Sequence, residues 1–251
     1  MKTSNKLLLI FLGAIVFLMI TSLIYIRFFG FEAGEKIQVS GVMTTQERAL
    51  TSFSSVEFEG PFDITILQGN ESTMSVTADE QIQPFITSEY LDNGTLLIKT
   101  KKGYALPNRS DIRIQITAPV WKGISLSGSG DVRSSDTLTG DILNIESNGS
   151  GEMDLLLKYQ SVTAELNGSP ELSLKGSSNS LSIKSNGSGE IDAMEMVCQS
   201  VSFLASGSTD AELYADSSLN VTVNGSGNVL YSGNASDVKS RMNGSGQLSR
   251  K

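Results

Sequence analysis

The chain reads as an all-β protein, a right-handed parallel β-helix (β-solenoid) with rungs of about 19 residues, preceded by one N-terminal transmembrane helix. Three observations predict this. A Gly-Ser pair preceded by Asn or Ser recurs seven times between Gly128 and Gly244, at intervals of 21, 19, 19, 20, 18 and 19 residues. Self-similarity at a fixed step near twenty marks a solenoid. The segments between the pairs alternate apolar with polar residues, which is the two-residue period of a strand. Finally, Leu7 to Ile26 carries no charged side chain, and an apolar helix of about twenty residues spans a bilayer.

The N-terminal segment sets the expected location. Lys2 and Lys6 precede the apolar run and Arg27 follows it. The excess of positive charge on the cytoplasmic side puts the terminus in the cytoplasm and residues 32–251 outside it, in the cell envelope. Tyr25, Phe28, Phe29 and Phe31 then fall at the outer interface, where aromatic rings prefer to lie. A cleaved signal peptide is the alternative, but its apolar region runs about 7–15 residues and ends in a small-x-small site. No Ala-x-Ala closes this one, so residues 1–31 are expected to stay as a signal anchor bounded by Leu7 and Ile26. A mature protein beginning near Phe31 or Glu32 would mark cleavage instead. Residues 32–51 show no sustained pattern and read as a stalk.

Strands begin after residue 52. Val56 to Phe58, Phe62 to Ile66 and Met74 to Ala78 alternate apolar with polar, as half-buried strands do. Gly60-Pro61, Gln68-Gly69-Asn70 and Asp92-Asn93-Gly94 are turn signals between them. Leu96 to Ile98 and Ile112 to Ile116 give two more strands, separated by a loop rich in Lys and Arg. These leading strands occupy 52–120, and the Gly-Ser repeats occupy 121–251.

The repeats align on Gly128, Gly149, Gly168, Gly187, Gly207, Gly225 and Gly244. Six residues before the later glycines stand Leu143, Val162, Leu181, Val201, Leu219 and Val238. Four before stand Ile124, Ile145, Ala164, Ile183, Phe203 and Val221, with Ser240 as the exception. Four after come Val132, Met153, Leu172, Ile191, Ala211, Val229 and Leu248. Each rung thus has an inward apolar stripe on both sides of a glycine corner, and it can bury that stripe only by stacking on its neighbours. Glycine in every unit and the period of two exclude a helical solenoid.

Composition narrows the function. A net charge of −8 argues against nucleic acid, whose phosphates would be repelled. There is no histidine, and no cofactor is expected. Cys198 is the only cysteine and reads as a small buried residue. At the corner, Asn or Ser followed by Gly suits a backbone of positive φ, and stacked Asn148, Asn167 and Asn186 can hydrogen-bond from rung to rung. That is a structural turn ladder. Its Asn-Gly-Ser triplets also fit the N-glycosylation pattern, as a by-product of the turn. No phosphate-binding lysine follows any of these turns.

Three past the glycine stand Asp131, Glu152, Glu171, Glu190 and Asp210. In successive rungs they form a surface ladder of like charges about 5 Å apart, which repel unless solvated or bridged. Calcium could bridge such carboxylates, but calcium-binding repeats place a turn every nine residues, so a solvated edge is the expectation. Lys or Arg does not recur beside the acids, and catalysis is not expected. The loop with Lys99, Lys101, Lys102, Tyr104, Arg109 and Arg113 is a surface charge run, with anionic glycan or lipid headgroups as its conceivable ligands.

The stretch Glu59-Gly-Pro-Phe-Asp-Ile-Thr-Ile-Leu-Gln-Gly69, Gly94-Thr-Leu-Leu-Ile98, the Ser-Gly-Ser-Gly-Asp-Val copy and Val229-Leu-Tyr-Ser-Gly233 resemble the bacterial head GIN domain family, labelled autotransporter adhesins. The resemblance covers about residues 50–249. It implies a right-handed β-helical fold, a surface or envelope location and no established enzymatic activity. The chain ends directly after the last repeat, so no translocator barrel is expected. The expected function is non-enzymatic, membrane-anchored, adhesin-like binding or scaffolding. The partners are the membrane, an envelope protein or glycan and, through the end of the coil, another copy. An accessory role in envelope-stress signalling is the alternative, and a polysaccharide-active enzyme a more distant one.

Overall fold

The computed structural model describes Met19, Thr21, residues 35–107 and residues 110–251. The anchor expected over 7–26 lies outside them apart from Met19 and Thr21, which are helical. Among the described residues no helix is long and apolar enough to cross a membrane. The first strands in chain order are β1 (Glu35–Lys36), β2 (Met43–Ala49), β3 (Ser55–Glu59), β4 (Asp63–Gln68), β5 (Thr73–Asp79) and β6 (Ile86–Tyr90). Next come β7 (Leu96–Thr100), β8 (Tyr104–Ala105), β9 (Arg113–Ala118), β10 (Gly123–Gly128) and β11 (Asp131–Ser134). The repeats supply β12 (Leu138–Gly149), β13 (Glu152–Gly168), β14 (Glu171–Gly187), β15 (Glu190–Gly207) and β16 (Asp210–Gly225). The last strands are β17 (Val229–Ser232), β18 (Asp237–Gly244) and β19 (Leu248–Arg250). A small unit takes in residues 1–36 and 102–105, where β1 and β8 pair in parallel.

The larger unit, residues 37–101 and 106–251, is a β-solenoid of about seven turns. Strands β12 to β16 pair in parallel, each with the next, and equivalent residues stack from rung to rung. One inward column runs Val56, Ile124, Ile145, Ala164, Ile183, Phe203 and Val221, all buried. The columns on either side of the glycines are buried likewise. Val238, at 37% exposed, and half-buried Leu248 differ because β18 and β19 have a paired rung on one side only among the described residues. The step varies between 18 and 21 residues without disturbing these columns. For the 20- and 18-residue steps, register shifts between Ser173 and Gly176, and between Ala193 and Ser200, absorb the difference on the stretch farthest along the rung from the glycine corner.

The leading strands depart from simple winding. β3 and β4 form a rung of their own, joined at Gly60-Pro61 and stacked under β10 and β11. β7 and β9 form the next rung outward, pairing in parallel with β3 and β4. The rung written first in the sequence is therefore second in the stack. Antiparallel strands finish this end: β5 on β9, β2 on β5, and β6 on β7. Met43–Ala49 thus belongs to a strand and not to the expected stalk. Most of its residues are exposed, because it is an edge strand whose side chains bury little on either face. Trp121, Phe58 and Phe62 are among the largest fully buried side chains of the fold, and Phe53 meets Trp121 edge-to-face at 5.6 Å between ring centroids.

Candidate functional site

The glycine corners are consumed by their own stacking. All seven predicted glycines have positive φ, from 106° to 154°, and Gly60 (151°) lies beneath Gly128 as a further member. The carbonyls of Gly128, Gly149, Gly168, Gly187 and Gly207 each accept a hydrogen bond from the serine N–H of the next corner, as at Ser188 to Gly168 (2.9 Å) and Ser208 to Gly187 (2.8 Å). The side chains do the same: Asn167 Nδ2 donates to Asn148 Oδ1 at 2.9 Å, Asn186 to Asn167 at 3.1 Å, and Asn243 to Asn224 at 2.8 Å. Donors and acceptors already paired in this way have little to offer a ligand.

The carboxylates Asp131, Glu152, Glu171, Glu190 and Asp210 stand in one continuous column, preceded by Asp63. The neighbouring outward column adds Asp154, Asp192 and Glu212. Arg133 reaches Asp131 and Glu152 at 3.7 Å, and Lys175 reaches Asp154 at 3.7 Å. Residues on parallel strands point side by side, so they share a face without converging. Among the described residues no three His, Cys, Asp or Glu side chains gather as a metal cluster.

The basic loop is not one patch. Lys99 is paired with Glu89, and Arg113 with Asp111, while Arg109 lies outside the described residues. Cys198 is fully buried and its thiol is pushed up to about 12 by desolvation, so it is an inert core residue.

A trough on the side of the coil, absent from the sequence expectations, breaks the regularity of the rungs. Two adjoining hollows of about 540 and 520 Å³ share Thr139, Gly140 and Asp141. The floor is Tyr159, 4% exposed, and fully buried Trp121. A Cβ on Gly140 would lie 2.6 Å from the Tyr159 ring, so the missing side chain there is what lets the phenol lie under β12. The floor is locked: Tyr159 Oη donates to the Trp121 carbonyl and Trp121 Nε1 to the Leu67 carbonyl, both at 3.0 Å. Burial pushes the phenol up to about 12, so it stays protonated and remains a donor. Along the rim run Asp141, Gln160, Asn179 and Gln199, with Lys158 and Val197 beside them. What signal the sequence holds for this place is departure from the repeat: the single tryptophan, and a register position that changes type at every rung, from Gly140 to Tyr159, Ser178 and Cys198.

Comparison with known proteins gives a consistent picture. Residues 52–235 match the family described as "Putative auto-transporter adhesin, head GIN domain". A solved "putative adhesin" from Bacteroides fragilis is 27% identical with a TM-score of 0.81, over 86% of this chain and 100% of its own. A "putative lipid binding protein" from Parabacteroides distasonis (22% identical, TM-score 0.72, 86% and 100% covered) shares the fold. So does a "putative adhesin" from Parabacteroides merdae (19% identical, TM-score 0.68, 86% and 99% covered). No curated protein matches the chain. The names carried by the family and by these adhesin structures are not those of enzymes. With most of its length matched, and with the stacked glycine corners seen in place, the chain belongs to the head GIN domain family.

Proposed function

We propose that the chain is a non-enzymatic binding module of the cell envelope, held in the cytoplasmic membrane by its N-terminal helix with residues 32–251 outside. Its coil is wound right-handed, as parallel crossovers overwhelmingly are. The observation that carries this reading is how the rungs use their side chains. Inward positions form one continuous core, the corners bond to each other, and some outward columns repeat one chemistry at each step of about 4.8 Å, as the carboxylates from Asp131 to Asp210 do. A rigid, periodic surface of that kind suits an extended partner, which is how solenoids generally bind. The adhesin description of the family and of the Bacteroides fragilis structure supports the same class of function. The charge-free run from Leu7 to Ile26 supports the anchoring.

The test uses the full chain in lipid vesicles. Vesicles carrying it should be retained saturably by immobilised cell-envelope fragments, and protein-free vesicles should not. Protease added to intact spheroplasts should remove the solenoid. Equal retention of both vesicle types, or a solenoid shielded in spheroplasts and cut only after lysis, would end the proposal.

A further inference from the structure

We propose that the trough over Tyr159 and Trp121 is a binding site for a linear, uncharged polysaccharide segment laid across successive rungs. This rests on the reading of the chain as a binding module and names the ligand class and the place.

Four rungs contribute in register. One column of the trough runs Thr139, Lys158, Ser177 and Val197, and its central column runs Gly140, Tyr159, Ser178 and Cys198. The outer rim is Asp141, Gln160, Asn179 and Gln199. Rungs are about 4.8 Å apart, so the rim places one hydrogen-bonding group at each such step. An extended chain of β-linked sugars advances by a similar length per ring, and each ring can meet one rung. Amides suit sugar hydroxyls because they both donate and accept. Asn179 Nδ2 already donates to Gln160 Oε1, and Ser217 Oγ to Gln199 Oε1 at 3.1 Å. Those bonds orient the two glutamines, while their Nε2 groups donate to nothing among the described residues.

The apolar side chains fit the same ligand. Val120 (44% exposed), Ile142 (56%) and Val197 (44%) are exposed beside the polar rim, and sugar rings carry C–H faces that pack on such groups. The hollows fall within the size range of small-ligand sites, and an apolar wall with a few placed polar groups is their usual composition. The locked floor means that little ordering is needed on binding.

Other ligand classes fit less well. A peptide strand would need a continuous unpaired edge, whereas β13 and β14 are each flanked by a paired strand on both sides and the Thr139 N–H and carbonyl on β12 are both bonded to the Gln68 amide. Acyl chains would need a continuous apolar channel, whereas the exposed apolar side chains here are separated by amides and hydroxyls. Asp141 stands among Lys122 and Lys158, which leaves no concentrated field for a polyanion, and the whole chain carries −8.

The experiment uses the full chain in detergent and its single tryptophan. Trp121 forms part of the trough floor, so its emission reports occupancy directly. The probes are neutral β-linked gluco-, xylo- and manno-oligosaccharides of two to six sugars, with oligogalacturonates and an unrelated peptide as alternatives. At least one neutral series should shift the emission saturably, tighten with length up to about four sugars as the rungs fill, and resist about 0.5 M salt. Gln160→Ala and Asn179→Ala should each weaken binding roughly fivefold to tenfold, as loss of one or two hydrogen bonds does. Asn220→Ala, on a rung face outside the trough, should leave it unchanged. The assignment is overturned if no neutral series saturates up to about 10 mM, a weak affinity by any standard. Binding confined to galacturonates and abolished by salt overturns it, as does peptide binding, or rim variants that bind like the native chain. If vesicles still adhere to envelope fragments in those cases, the binding-module reading stands and only the trough is wrong. If adhesion itself is absent, that reading fails separately.

Discussion

Replacing Gly187 by alanine tests the corner stack most directly. The new Cβ would lie 1.8 Å from the Gly168 carbonyl oxygen, where contacts under 3.0 Å essentially never occur. The two corners must separate by more than an ångström, which breaks the 2.9 Å bond from Ser188 N–H to Gly168 O. That bond contributes about 1 kcal/mol. The φ of 151° costs alanine a further ~1–2 kcal/mol, and the distorted rung adds more. The sum is about 3–5 kcal/mol, a large part of a typical total of about 5–15 kcal/mol. Gly41→Ala is the control. Its φ is 81° but nothing lies within 4 Å of the added carbon, so only the backbone term of ~1–2 kcal/mol applies. At about 2–4 °C per kcal/mol for a chain of this size, Gly187→Ala should lower Tm by about 10 °C and Gly41→Ala by less than half of that. Circular-dichroism melts of the full chain give the shifts, and hydrogen exchange should show protection lost first in β13 to β15. Equal shifts for the two variants, or exchange that quickens only at the far ends of the coil, would refute the reasoning.

Further outcomes follow from single side chains. Phe203→Ala should cost about 3–5 kcal/mol because its ring is 1% exposed. Leu204→Ala, one residue on and 38% exposed, should stay within about 0.5 kcal/mol, and a reversed order in urea midpoints would mean the inward register is wrong. Cys198 should ignore a thiol reagent at pH 8 in the folded chain and react at once in denaturant, since its thiol is pushed up to about 12. Rapid labelling of the native protein contradicts its burial. Burial alone would raise the Asp79 carboxyl, but the N–H groups of Gln81 and Gly41 and the Ser40 hydroxyl outweigh it and hold the group below its ordinary value. The unfolded value is about 3.9, so its stabilisation is complete above that pH and fades as pH falls through the lower folded value. Asp79→Asn should remove this part of the acid sensitivity below about pH 4. Identical acid profiles for the two proteins would show that Asp79 does not carry it.

Much of the solenoid could be read directly because its rules repeat. Ile145, Ile183 and Val221 share a column for the same reason that they share a distance from a glycine: each rung restarts its count at the corner. Gly60 escaped that count because Pro61 replaces the usual serine and the next corner is Gly128. β2 escaped because Met43-Thr-Thr-Gln-Glu-Arg-Ala has no apolar alternation, as expected of an edge strand that buries little. The order β7/β9 outside β3/β4 was out of reach, since pairing partners distant in sequence leave no local signature. The acidic column was legible; the trough was not. It arises from Gly140, Tyr159 and Trp121 meeting across rungs, and residues that occur once create no period to detect.

The inverted order of the first rungs has a consequence for how the molecule is made. As the chain emerges from its N-terminus, β3 and β4 arrive with both flanks bare. One neighbour, β7, comes roughly 40 residues later and the other, β10, nearly 70 residues later, and closures at that range are the slow kind. Every subsequent coil lays itself onto a finished template about 19 residues behind. Maturation is therefore gated once, near the start, and evolution can lengthen or shorten the coil by whole turns without touching that gate.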